Sequence, residues 1–90
     1  MTMDYKTLIH VVVDPFLHNP DALLIRETDS DDGKDVEILI VAENEDTARL
    51  IGKRGTTANA IRDIVAVAGK LEEKRVHIKF ESFNEEEKKD

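Results

Sequence analysis

The sequence predicts an α+β domain, with three helices packed on one face of a three-stranded sheet in the order helix, strand, strand, helix, helix, strand. Three observations carry this reading. Residues 36–42 are apolar at every position but Glu37, set off by a polar turn before them, and apolar residues alternate cleanly with polar ones at 75–81, the two-residue period of a half-buried strand. They recur at spacings of three and four at 5–16 and again across 45–68, the period of a helix with one buried stripe. Polar, Gly-bearing or Pro-bearing stretches separate these segments, and there is no internal repeat. Ninety residues make one domain. It is assigned to residues 1–81, with 82–90 an aperiodic, acidic and disordered tail.

The first helix covers 4–17, with Tyr5, Leu8, Ile9, Val12, Val13 and Phe16 on one face. Pro15 removes a backbone donor and disfavours helical geometry at Asp14, so the helix kinks or ends there. Residues 22–28 form the first strand, with Leu23 and Ile25 facing inward. Asp32-Gly33 marks a hairpin turn within 29–35, so the first two strands pair antiparallel. The second strand, 36–42, buries Val36, Ile38, Ile40 and Ala42 and turns Glu37, Leu39 and Val41 outward. Asn44 caps a short helix over 45–51, with Glu45 and Asp46 in its first turn. After Gly52-Lys53-Arg54-Gly55, a longer helix over 56–68 buries Ala60, Ile61, Ile64, Val65 and Ala68, and Gly69 closes it. In the last strand, 75–81, Val76, Ile78 and Phe80 face in, and Arg75, His77, Lys79 and Glu81 face out.

Composition narrows the function. The longest apolar runs, Ile38-Leu39-Ile40-Val41-Ala42 and Ile64-Val65-Ala66-Val67-Ala68, are far short of the ~18 residues a membrane span needs. No basic leader resembling a signal peptide is present at the N-terminus. The absence of cysteine excludes a thiol nucleophile and Cys-ligated zinc, and fits a reducing, cytoplasmic setting. Aromatics are 4% of the chain, too few for an aromatic platform that stacks bases. The net charge of −7 argues against a generic nucleic-acid binder, but the charge is segregated. Residues 1–46 hold 3 basic and 12 acidic side chains, 47–80 hold 8 and 3, and 81–90 hold 2 and 5. A local basic site thus sits on an acidic body.

That basic segment contains the Gly-Lys-Arg-Gly turn, placed between two helices. Glycines without Cβ let backbone approach a phosphodiester closely. The following helix aims its unpaired N–H groups and positive dipole end at an anion. Lys53 and Arg54 add mobile positive charge. The stretch Leu50-Ile51-Gly52-Lys53-Arg54-Gly55, followed by Ala58-Asn59-Ala60-Ile61-Arg62, resembles a KH domain of the type II topology. The element order extends the likeness over residues 4–81, and the short chain is similar to the small single-KH bacterial RNA-binding proteins of the KhpA family. The resemblance implies a non-catalytic protein of the RNA chaperone or post-transcriptional regulator type. Such modules clamp about four single-stranded nucleotides on the G-x-x-G backbone. It places Ile51, Gly52, Lys53, Arg54, Gly55, Thr56 and Ala58 at the RNA, with Arg49 and Arg62 as outer contacts and Ile51, Ala58 and Ile61 flooring an aliphatic groove beside Leu39 or Val41. Ile61 serves equally well as core. Thr56 and Asn59 stand where basic residues are common in the family, so the expected affinity is weak, salt-sensitive and little dependent on sequence. The resemblance also implies self-association, or pairing with a larger Jag-type KH protein. A KH scaffold serving only protein–protein contact is the alternative.

Other constellations offer less. His10, Asp14 and His18 would share one face of an unbroken helix as metal ligands, but Pro15 interrupts it. Asp29-Ser30-Asp31-Asp32-Gly33 fails the calcium-loop spacing, because Ile40 falls where a bidentate Glu is required. Ser30 and Ser82 have no His at a catalytic spacing, and no G-x-x-x-x-G-K-[ST] phosphate loop occurs. No enzyme activity and no cofactor is expected. His77 and Lys79, with the outward Leu39 and Val41, leave a helix-free sheet face open to a partner.

Overall fold

A computed structural model describes residues 4–83. Helix α1 (Tyr5–Val13) starts at Asp4, whose carboxylate accepts the Thr7 N–H at 3.1 Å and the Thr7 hydroxyl at 2.8 Å. It ends before Pro15, which lies in a single 3₁₀ turn, Asp14–Phe16. Tyr5, Ile9 and Val13 are buried. The 3₁₀ turn carries Phe16 off the helical face expected for it and leaves it exposed.

Strand β1 (Leu24–Asp29) begins later than its sequence suggests, because Pro20–Ala22 forms a second 3₁₀ turn. It pairs antiparallel with β2 (Asp35–Ala42), Ile25 opposite Ile40. The hairpin is closed by the Ser30 N–H on Asp35 O at 2.9 Å and the Gly33 N–H on Ser30 O at 3.0 Å. Strand β3 (Arg75–Ser82) lies on the other side of β2 and runs parallel to it, Ile38 opposite Ile78. Ser82, assigned from sequence to the tail, is the last residue of this strand, and the Phe83 N–H donates to Ala42 O at 3.0 Å. The rest of the proposed tail, residues 84–90, lies outside the described residues. Asp35 and Arg75 open the two parallel strands together, joined by two hydrogen bonds of 2.8 and 2.9 Å. The Arg75 guanidinium, and then His77, hold the Asp35 carboxyl at about 2.

Helix α2 (Asn44–Ile51) takes Asn44 as its first helical residue rather than its cap, a position held by Glu43. Helix α3 (Thr56–Leu71) runs past Gly69, which therefore does not close it; the positive φ after the helix belongs to Glu73. Gly69 has a packing role instead. A Cβ there would stand 2.7 Å from Val76 Cγ2 and 2.9 Å from Lys74 O, so only glycine lets α3 approach the start of β3. The buried stripe of α3 is Ala58, Ile61, Val65, Ala68 and Gly69. Ala60 and Ile64, expected inside, are exposed, because α3 carries a second apolar stripe one position out of phase with the first.

The core lies between the three helices and one sheet face. It joins Tyr5, Ile9 and Val13 to Val36, Ile38, Ile40, Leu50, Ile61, Val65, Ala68 and Ile78. The Tyr5 hydroxyl donates to Glu72 Oε1 at 3.0 Å, tying the start of α1 to the end of α3, and burial, reinforced by that carboxylate, pushes the phenol up to about 12. The opposite sheet face carries no helix. There Val41 is buried and Leu39 half-buried, beside Leu24 and Phe83, so neighbours within the sheet supply most of the cover that the sequence left open.

Candidate nucleic-acid interface

The Gly-Lys-Arg-Gly segment forms the corner between α2 and α3, a single 3₁₀ turn at Lys53–Gly55. Its backbone is unusual at three of four positions: Gly52 has φ 75 and ψ 179, Arg54 φ 58 and ψ 24, and Gly55 φ 77 and ψ 13. Gly52 is required twice over. The conformation is one that L residues avoid, and a Cβ would stand 2.4 Å from Thr57 Oγ1. Gly55 needs only its φ, since an added Cβ would meet nothing. Gly52→Ala is expected to cost about 2 kcal/mol in denaturant melts, and Gly55→Ala about 1 kcal/mol.

Three hydrogen bonds close the turn: Gly55 N–H to Gly52 O at 3.2 Å, and both the backbone N–H and the hydroxyl of Thr56 to Lys53 O, the hydroxyl at 2.9 Å. Thr56 thus shapes the turn from within. No side chain caps α3 and no acid occupies its first turn, so its positive dipole end is unopposed. Lys53 and Arg54 are exposed, and among the described residues neither has an acidic partner. The corner therefore offers backbone N–H groups, a helix N-terminus and two free cations, a combination suited to a phosphate.

The remaining sequence-derived positions separate. Ile51 is exposed beside the turn. Ala58 and Ile61 are enclosed by the core, at 2% and 1% exposure, so neither offers surface to a ligand; α3 must bury a full stripe and uses both. Leu39 and Val41 lie on the helix-free sheet face, away from the core that α2 and α3 cover. Arg49 is drawn back, its Nη1 2.7 Å from Asp46 Oδ1. Arg62 bends over β3, its Nε 3.3 Å from Ile78 O and its guanidinium carbon 5.3 Å from the Phe80 ring centre. The proposed histidine cluster reduces to His10 Nδ1 on Asp14 Oδ1 at 3.0 Å, with the His18 backbone held by Asp46 instead.

Asp46 was read from sequence only as a first-turn acid. At 1% exposure it is a buried carboxylate in the first turn of α2, at the far end of that helix from the corner, accepting the His18 N–H at 2.7 Å, the Asn19 N–H at 2.9 Å and the Arg49 guanidinium. Burial pushes its carboxyl up, but the two backbone N–H groups and Arg49 outweigh this and hold it below its ordinary value. Thr57, which packs against Gly52, was missed as well. Asp46 has no sequence signal because it holds residues 18 and 19, which only the fold brings near; Thr57 acts locally, across the turn on Gly52.

The profile of the KhpA/KhpB KH domain matches residues 6–80. The RNA-binding protein KhpA of Halalkalibacterium halodurans is 32% identical over 73 residues, 81% of this chain and 93% of that protein. KhpA of Bacillus subtilis is 32% identical over 77 residues, 86% of this chain and 89% of that one. KhpA of Caldanaerobacter subterraneus is 35% identical over 75 residues, 83% and 92% of the two chains. No solved structure matches the chain. Three helices on one face of a three-stranded sheet, a glycine-bracketed corner between the second and third, and these relatives lead to one conclusion: the chain belongs to the KhpA/KhpB KH-domain family.

Proposed function

We propose that the chain is a non-catalytic single-stranded RNA-binding protein of the RNA chaperone or post-transcriptional regulator type. The α2–α3 corner clamps the phosphate backbone in this reading. The observation that carries it is the pairing of a left-handed, glycine-bracketed turn with two exposed, unpaired cations at an uncapped helix N-terminus. The relatives named RNA-binding proteins supply the class of ligand. Gly52 and Gly55 set the backbone, Lys53 and Arg54 neutralise phosphates, and Ile51 lies against the first base or ribose. Arg49 acts through its contact with Asp46. Fluorescence anisotropy with a short labelled single-stranded RNA at two salt concentrations tests this. Binding that weakens with salt, with a log–log slope of about −1.4 for two phosphates, is expected; no binding at low salt overturns it.

A second property rests on the outer stripe of α3. Ala60, Ile64, Val67 and Leu71 follow spacings of four, three and four, and the last three are 47, 61 and 77% exposed. That is a two-residue-per-heptad seam on a helix with no neighbour outside it among the described residues. Laid antiparallel on a second copy, Ile64 meets Val67 and Ala60 meets Leu71, while Asp63 faces Lys70 twice. We infer a homodimer through this face. Val67→Glu is expected to convert it to monomer in sedimentation without unfolding it. A wild-type monomer at micromolar concentration would direct the seam to a second, larger KH protein of the Jag type.

A further inference from the structure

The free edge of β3 runs beside α3, and its hydrogen-bonding groups can be placed by parity. In a parallel pair, alternate residues of one strand turn both N–H and C=O toward the neighbour, and the residues between turn both away. The Arg75 N–H donates to Lys34 O and the Phe83 N–H to Ala42 O, so odd-numbered residues face β2. Val76, Ile78 and Phe80 therefore point their backbone groups outward, and β3 is an edge strand.

Arg62 occupies the middle of this edge. Its Nε donates to Ile78 O at 3.3 Å, its Nη1 to Asn59 Oδ1 at 3.3 Å, and its guanidinium lies over the Phe80 ring. An exposed arginine held by three contacts on two elements has lost most of its rotamer freedom before any ligand arrives. Its plane is preset and its Nη2 amino group has no acceptor among the described residues. Arg62 lies seven residues beyond Gly55, about 10 Å along α3 from the phosphate-binding corner. This is within the reach of a strand of about four clamped nucleotides.

The geometry points to Arg62 as a specificity-determining residue that reads one guanine next to the clamped phosphates. This rests on the RNA-binding reading above. The fixed guanidinium presents donors and no acceptor, and Asn59, whose Oδ1 is turned to Arg62, presents its amide N–H groups alongside. Such a lining selects a base edge with two adjacent acceptors. Guanine has them in O6 and N7, whereas adenine replaces O6 with a donor amino group. The flat cation also accepts a stacked purine, which compensates for the scarcity of aromatic side chains. One position of preference thus sits within a clamp otherwise indifferent to sequence.

The experiment uses the full chain and short uridine tracts carrying one central guanosine, 7-deazaguanosine, adenosine or cytidine. Wild type is expected to bind the guanosine oligonucleotide about tenfold more tightly than the uridine tract. Both 7-deazaguanosine, which lacks the N7 acceptor, and Arg62→Lys, which keeps the charge but loses the planar fork, should remove that advantage. The readout for each protein is the ratio of its guanosine to its uridine affinity, so a general loss of binding in the variant cancels. Equal binding of guanosine and uridine, an advantage retained with 7-deazaguanosine, or a preference for cytidine would overturn the assignment while the RNA-binding reading stands. No binding of any oligonucleotide at low salt would overturn both. The 7-deazaguanosine arm uses wild-type protein, so the test does not depend on the variant folding.

Discussion

Lys53→Asp combined with Arg54→Asp is expected to abolish single-stranded RNA binding and leave the melting temperature nearly unchanged. Both side chains are exposed and make no ion pair among the described residues, so their replacement removes no structural contact. Arg54 has φ 58, where aspartate is tolerated better than most residues, which keeps the backbone cost small. The effect on RNA is large because two attractive charges become repulsive at the α3 N-terminus. Milder replacement with glutamine should make the salt dependence of binding shallower by about 1.4 in log–log slope. Anisotropy and a thermal melt on the same samples check both halves. A folded double mutant that still binds with the wild-type slope would move the contact surface away from the corner.

The second large effect is on stability. Asp46→Ala is expected to cost about 3 kcal/mol and lower the melting temperature by roughly 10 to 20 °C. The change orphans the His18 and Asn19 N–H groups and removes the carboxylate partner of the exposed Arg49. Asp46→Asn, which keeps an acceptor oxygen, should recover about half the loss. The pH dependence has a definite sign. Asp46 has its carboxyl held below the ordinary 3.8 in the fold, so its contribution is complete above about 4 and is lost as pH falls through the lowered value. The melting temperatures of wild type and Asp46→Ala should therefore converge in acid. Asp35, held at about 2 by Arg75 and His77, likewise contributes fully above about 4 and loses its contribution as pH falls through about 2.

The element order was legible because each element carries its own period. Residues 36–42 form an apolar run broken only by Glu37, 75–81 alternate without interruption, Pro15 ends α1, and glycines bracket the corner. The errors came where two physical roles share one local pattern. On α3, apolar residues at 58, 61, 65 and 68 and at 60, 64, 67 and 71 describe two helical faces, and periodicity cannot say which is buried. Gly69 looked like a helix terminator, yet the close passage of β3 explains it. Of the expected contact residues, Lys53 and Arg54 could be named from charge and motif alone. The withdrawal of Ala58 into the core and of Arg62 onto β3 depends on neighbours distant in sequence, whereas Arg49 meets Asp46 within one helical turn.

The parallel pairing of β2 with β3 has a consequence for how the chain is made. Antiparallel β1 and β2 need only a short hairpin, but β3 joins β2 after the whole of α2, the corner and α3 has been laid down, so the last strand completes a long loop closure. On a ribosome, β3 is also the last described element to emerge. Until it docks, α3 lacks the strand that Gly69 and Arg62 pack against, and the α2–α3 corner is anchored from one side only. The α2–α3 corner therefore gains its second support only when β3 is in place.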